Sequence, residues 1–301
     1  MPEAPAIETS ELSKRYGKGV LALDGLELRV ERGEVFGFLG PNGAGKSTTI
    51  RLLLDLIRPT SGSARLLGHD IRGNSLPARS VTGYLPGDLR LADRLTGTAQ
   101  LDSLARLRGV ATPLRDELCE RFGAVLDRPV RELSKGNRQK LGVVQALMHR
   151  PPLVIMDEPT TGLDPLLQEE FHAVVRETAA DGRTVFLSSL SLDEVQRTAD
   201  RVGIIRSGRL LSVDRVAALR ERALRHVTIL LRSDGQALDF ASLPGVRVQE
   251  QGGGRIVLTA PESSMDGVVK VAARAEVVDF VSAPADLEEI FLDAYRQRDG
   301  G

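Results

Sequence analysis

Apolar and polar positions alternate in short runs over the first forty residues. AIETSELSKRYG, ALDGLELRV and EVFGFLG read as strands parted by turns. The last is apolar on both faces. It runs into a glycine-rich loop, and then into TTIRLLLDLIRP, a helix expected to stop near Pro59. SGSARLLGHDIR is turn and strand material, and VTGYLP is a strand ended by proline. From residue 91 to 150 the period changes. Apolar residues three and four apart in TAQLDSLARLRG, LRDELCERFGAVL and NRQKLGVVQALMH predict helices. Apolar strands then return in alternation with helices: LVIMDEP, a helix over 166–180, RTVFLSS, a helix over 192–199, and RVGIIRSG. Strands this apolar belong to a sheet covered on both faces.

The pattern predicts an α/β core over residues 1–215, interrupted by a helical subdomain over about 88–150. Residues 211–225 read as a helical connector. Beyond it HVTILLRSDG, VRVQEQGGGRIVLTA and EVVDFVSA alternate as half-exposed strands do, with helices near 264–275 and 286–297. Residues 226–301 are therefore expected to form a small α+β domain, with the glycine run 252–254 as a hairpin turn.

A chain of 301 residues has room for two such domains. Its formal net charge of −1 argues against a general attraction to nucleic acid or anionic lipid. The single cysteine, Cys119, cannot form an internal disulfide and fits a reducing compartment. MPEAPAIETS lacks the basic and apolar regions of a secretory signal, and no stretch approaches the roughly 18 apolar residues of a membrane span. A soluble protein is expected. If it works at a membrane, another chain must hold it there. The four histidines, at 69, 149, 172 and 226, show no metal-ligand spacing and are expected at the surface or its boundary.

GPNGAGKSTT, residues 40–49, follows the buried strand and opens a helix, the context in which a phosphate-binding loop works. Gly40, Gly43 and Gly45 free the backbone to wrap a phosphate chain, and Pro41, Asn42 and Ala44 complete the loop. Lys46 offers a point charge to the β- and γ-phosphates. The Ser47 hydroxyl suits Mg²⁺, and Thr48 the α-phosphate side. LVIMDEP carries Asp157 to the end of a buried strand, where it would hold Mg²⁺ through water. Glu158 points differently and can orient and deprotonate an attacking water. An ordinary glycine turn and a strand-end acidic pair are the plainer readings of these stretches. Their joint presence argues for ATP with Mg²⁺.

A second anion site appears in LSKGNRQK, residues 133–140, where Ser134 and the amides near Gly136 open a helix. It lies far from the first cradle along the chain. It would reach a γ-phosphate bound to a second chain more readily than one bound to its own.

Together these motifs resemble the ATP-binding subunit of an ABC transporter over about residues 5–215: GPNGAGKST as Walker A, LSKGN as the signature, LVIMDE as Walker B and TGLD as the D-loop. The C-terminal part, ending in DLEEIFLDAY, resembles the accessory domain of the ABC-2, drug-exporter-like branch. The resemblance implies a P-loop ATPase that hydrolyses ATP with Mg²⁺. It implies head-to-tail dimers, either of identical chains or with a paired ATP-binding subunit. Each ATP would lie between Walker A of one chain and the signature of the other. It further implies Tyr16 stacked on adenine, Asp164 at the dimer seam, and a separate membrane permease gripped around residues 84–100. The site of work would be the cytoplasmic face of a bacterial cell membrane.

Two positions depart from the family pattern. Gly87, in YLPGD, stands where a glutamine or glutamate is usual, with Asp88 as a possible substitute. Leu190, in FLSSLSLDEV, stands where a histidine usually contacts the γ-phosphate. Loss of one transition-state donor costs about 2.7–4 kcal/mol. Two expectations follow: an active ATPase, because Glu158 and the Mg²⁺ ligands remain, or a clamp that binds ATP and hydrolyses it slowly. Other P-loop classes fit less well. Chromosome-organising ATPases need a long coiled coil between Walker A and the signature, ribosome-binding relatives carry two cassettes in one chain, and small-molecule kinases lack the signature.

Overall fold

The computed structural model describes residues 3–17, 19–73, 75–222, 224–232 and 238–283. They form two compact units, one up to Asp214 and one from Arg215 onward. The helix expected near 286–297 lies outside the described residues.

The first unit opens with β1 (Ile7–Arg15), β2 (Leu21–Val30) and β3 (Val35–Leu39), and the glycine-rich loop then leads into α1 (Lys46–Leu53). β4 (Ser61–Leu66), β5 (His69–Asp70), α2 (Ser75–Ser80) and β6 (Thr82–Leu85) follow. The helical subdomain holds α3 (Gly97–Arg108), α4 (Arg115–Arg121) and α5 (Lys135–Leu147). The chain returns to the core through β7 (Leu153–Asp157), α6 (Pro165–Ala180), β8 (Thr184–Ser189), α7 (Leu192–Thr198), β9 (Arg201–Arg206) and β10 (Arg209–Arg215).

Two sheets result. β2-β1-β4-β5 is antiparallel, and the larger sheet runs β10-β9-β3-β8-β7-β6 with β9, β3, β8, β7 and β6 paired in parallel. β3, β7 and β8 are buried along their whole length, as a sheet covered on both faces requires. Phe36 on β3 stacks on Phe186 of β8 at 5.8 Å, and Phe38 tilts against the same ring at 5.4 Å. Each such pair adds roughly 0.5–1.5 kcal/mol beyond the area it buries. This packing holds rigid the two strands whose ends carry the phosphate loop and Ser188.

Helix ends differ from expectation where local chemistry stops them. α1 ends at Leu53 instead of running to Pro59. Asp55 turns left-handed (φ 54°), its amide donates to Leu52 and that of Leu56 to Arg51, so the last carbonyls are satisfied by a tight turn. α4 covers only part of LRDELCERFGAVL, with left-handed Gly123 just beyond its end. Residues 211–215, expected in the helical connector, are strand: they complete β10 beside β9. His172, expected at the surface or its boundary, is only 4% exposed.

The second unit contains α8 (Val216–Arg222), β11 (Leu224–Leu231), β12 (Arg247–Gly252), β13 (Arg255–Pro261), α9 (Met265–Ala272) and β14 (Val277–Ala283). Its antiparallel sheet runs β12-β13-β11-β14, and the β12–β13 turn is made by Gly253 and Gly254, both left-handed. Val227, Ile229, Phe240, Ile256 and Leu258 form its core with α9.

Candidate active site

The phosphate loop is built by close approach. Gly45 caps α1 at φ 112°, and a side chain there would meet the Ala22 carbonyl at 2.7 Å. Only glycine closes this turn against β2. Pro41, Asn42 and Gly43 are exposed, Gly40, Ala44 and Gly45 buried, and Ser47 and Thr48 half-buried. Lys46 is 4% exposed. Its Nζ donates to the carbonyls of Gly40 (2.6 Å) and Pro41 (3.2 Å) and lies 3.9 Å from Glu158 Oε1. Burial pulls the ammonium below its ordinary range, while the Glu158 and Asp157 carboxylates oppose that.

Asp157 ends β7 and is 5% exposed. Its Oδ1 accepts from Ser188 Oγ at 2.5 Å. Glu158 follows with φ 50°, a left-handed backbone unusual for glutamate, and this turns its side chain out of the strand's alternation. The sheet thus brings Lys46 beside Asp157 and Glu158, although more than a hundred residues separate it from the two acids. β8 lies between the strands that deliver them. The neighbouring Tyr84 hydroxyl is pushed up to about 12, chiefly by burial and then by the Asp157 charge.

Gly87 packs directly on this carboxylate. A Cβ at that position would stand 3.2 Å from Asp157 Oδ2. Asp88 is exposed, and its carboxylate pairs with Arg90 at 2.9 Å. Leu190, just past β8, is 48% exposed. Its neighbour Ser189 donates to the buried Glu194 Oε2 at 2.5 Å, and burial raises the Glu194 carboxyl.

Ser134 and Gly136 sit at the start of α5. The Ser134 hydroxyl accepts from the Asn137 amide (3.2 Å), and a Cβ on Gly136 would come 2.9 Å from the Gly162 carbonyl. Gln139 Nε2 donates to the Pro159 carbonyl at 2.7 Å, in the turn just after Glu158. The start of α5, where a second anion site is expected, is therefore braced against its own chain's turn between β7 and α6. Asp164 caps α6 by accepting from the Leu167 amide at 3.0 Å, with Pro165 as the first helical residue. Tyr16 is 41% exposed beside the β1–β2 turn, with Lys14 Nζ 5.2 Å from its ring centre. Sequence reasoning missed Ser188, Gln139 and Glu194. The polar pair ending the apolar run VFLSS was the one visible signal for the first.

Residues 23–161, from β2 to the turn after Glu158, match the model of the ABC transporter family. The daunorubicin resistance ATP-binding protein of Streptomyces coeruleorubidus is 36% identical over 303 residues, covering 95% of each chain. The chain belongs to the ABC transporter family. A second ABC relative, the daunorubicin/doxorubicin resistance ATP-binding protein of Streptomyces peucetius, is also 36% identical, over 95% of this chain and 91% of its own. Among solved structures, an ATP-binding subunit of an ABC transporter aligns with a TM-score of 0.66 at 30% identity, over 72% of this chain and 92% of that one. The chain is thus an ABC ATPase, an ATP-binding subunit with a P-loop α/β core. Among the described residues no helix is long and apolar enough to cross a membrane.

Proposed function

We propose that this ATPase powers an export-type transporter by closing on ATP as a dimer and reopening on hydrolysis. The observation that carries the reading is the pairing of buried Lys46 with Glu158 at the mouth of the phosphate loop. ATP phosphates would lie over the loop amides from Gly40 to Thr48, with Lys46 exchanging its own loop carbonyls for the β- and γ-oxygens. The donor set suits Mg²⁺: a half-buried Ser47 hydroxyl and a buried Asp157 carboxylate are hard oxygen ligands. Mg²⁺ there supplies charge neutralisation of the phosphate oxygens. Glu158 orients the attacking water and takes its proton. Tyr16, exposed, would stack on adenine.

Ser134 and Gly136 would complete the site on a second chain, with Asp164 at the seam. That chain would be a second copy or a paired ATP-binding subunit. Residues 84–100 would receive a separate membrane permease at the cytoplasmic face of the cell membrane, and residues 226–301 would be an accessory domain. Two Streptomyces relatives are named for daunorubicin and doxorubicin resistance, which supports export, and a drug-type cargo, for this chain.

Leu190, exposed just past the end of β8 where the family usually has a histidine, favours a second reading, a clamp that hydrolyses slowly. Steady-state ATP turnover across protein concentration separates the two. The active dimer requires turnover that rises steeply with concentration and vanishes in Glu158→Gln. Wild-type turnover as slow as that of Glu158→Gln establishes the clamp instead.

A further inference from the structure

Ser188 stands where the strands of the site meet. On β8 it is the register partner of Phe38 on β3 and of Asp157 on β7, and it is fully buried. Its Oγ donates to Asp157 Oδ1 at 2.5 Å and accepts from the Glu158 amide at 3.1 Å. The Ser188 carbonyl accepts from the same amide at 3.2 Å. One hydroxyl therefore touches both acidic residues, the side chain of the first and the backbone of the second.

Both contacts act on groups with little freedom of their own. Asp157 has one oxygen tied to Ser188, while the other faces Gly87. The hydroxyl thus fixes the rotation of the carboxylate and which oxygen is left for a metal-bound water. Glu158 is left-handed at φ 50°, a conformation that persists only when neighbours hold it. The doubly accepted amide is such a hold, and it aims the glutamate toward Lys46.

We propose that Ser188 is a positioning residue for hydrolysis, locking the metal-side carboxylate and the general base in register through one side chain. This rests on the roles given above to Asp157 and Glu158. The adjacent Ser189 is an internal comparison, since its hydroxyl points to Glu194 and to the Ser191 backbone.

The test uses the full chain and reads ATP turnover against ATP and against Mg²⁺, with melting temperature and binding of a fluorescent ATP analogue alongside. Removing a hydrogen bond to a charged group is worth about tenfold or more in rate when the bond matters in the transition state. Ser188→Ala is expected to lower kcat by about that factor, to leave the ATP KM within about twofold, and to raise the half-saturating Mg²⁺ several-fold. Ser188→Thr keeps the hydroxyl and should recover most of the turnover. Ser188→Cys keeps the volume but donates weakly and should fall near alanine. Ser189→Ala should leave the Mg²⁺ response where it was.

Unchanged kcat and Mg²⁺ dependence in Ser188→Ala overturn the proposal. So does a loss in which turnover, nucleotide binding and melting temperature fall together, or a series that does not follow the hydroxyl. Glu158→Gln in the same assay keeps the two levels apart. If it turns over like wild type, the role given to Glu158 fails. If it is dead while Ser188→Ala is normal, only the role of Ser188 does.

Discussion

Lys46 Nζ faces Glu158 Oε1 across 3.9 Å, with the lysine buried and the glutamate side chain 31% exposed. Lys46 opens α1 after the loop that follows β3, Glu158 comes just past the end of β7, and β8 runs between those two strands. On the function proposed above, the γ-phosphate would approach this pair and take over the cation, leaving the carboxylate for the attacking water.

Removing the cation leaves the pair without its positive charge. Lys46→Ala is expected to weaken ATP-Mg²⁺ binding by at least about a hundredfold, since a buried charge-assisted contact contributes roughly 3 kcal/mol or more. Titration calorimetry checks this, and an unchanged Kd rules out the phosphate-loop assignment.

The Leu190 side chain offers no hydrogen bond at the end of β8, where the proposed function places the phosphoryl group. Leu190→His should raise kcat by about ten- to a hundredfold if the imidazole reaches that group, somewhat below the full worth of a preorganised donor. No gain means that the remaining groups already carry the step.

Gly87 has no room to spare. Gly87→Gln would set its Cβ 3.2 Å from Asp157 Oδ2, and Asp157 is held on its other side by Ser188. Turnover should fall by about two- to tenfold through displacement of the carboxylate. An increase at saturating Mg²⁺ contradicts this packing.

Acid stability carries a signature of its own. His149 Nε2 accepts from Arg108 Nη1 at 3.0 Å, and its Nδ1 is buried without a hydrogen-bond partner. Burial, and then the Arg108 charge, depress its pKa to about 4 from 6.5. The unfolded chain therefore takes up the proton first as pH falls. The contribution is complete above about pH 6.5 and is lost on the way down through pH 4. Burial depresses His172 as well, with the same sign. Glu194, raised by burial, acts oppositely and favours the folded state at lower pH. Melting temperature should drop between pH 6.5 and 4, and His149→Gln should flatten that slope by on the order of 2 kcal/mol after allowance for partial exposure. Parallel curves for the two proteins contradict the assignment.

Much of this architecture was legible in the residues alone. The period of apolar positions separates strands from helices because a pleat repeats every two residues and a helix every 3.6. GPNGAGKST carries its own chemistry, since the glycines, the lysine and the hydroxyl act within one turn of chain. LVIMDE is a buried strand with acids at its end, and caps such as Ser134 and Asp164 are local hydrogen bonds. Each of these rests on interactions between near neighbours in sequence.

Strand order, by contrast, is a long-range property. Nothing local says that β8 lies between β3 and β7, so nothing local shows that Ser188 touches both Asp157 and Glu158. The same holds for Gly87 against Asp157, Gln139 against the Pro159 carbonyl, and His172 in the interior. Helix ends also escaped, because left-handed Asp55 ends α1 in a residue that most often has no such backbone. The sequence determined which chemical groups are present and which sit on the same element. Tertiary packing decided which of them meet, because that depends on pairings between segments far apart in sequence, such as Ser188 with Asp157 and β3 with β8.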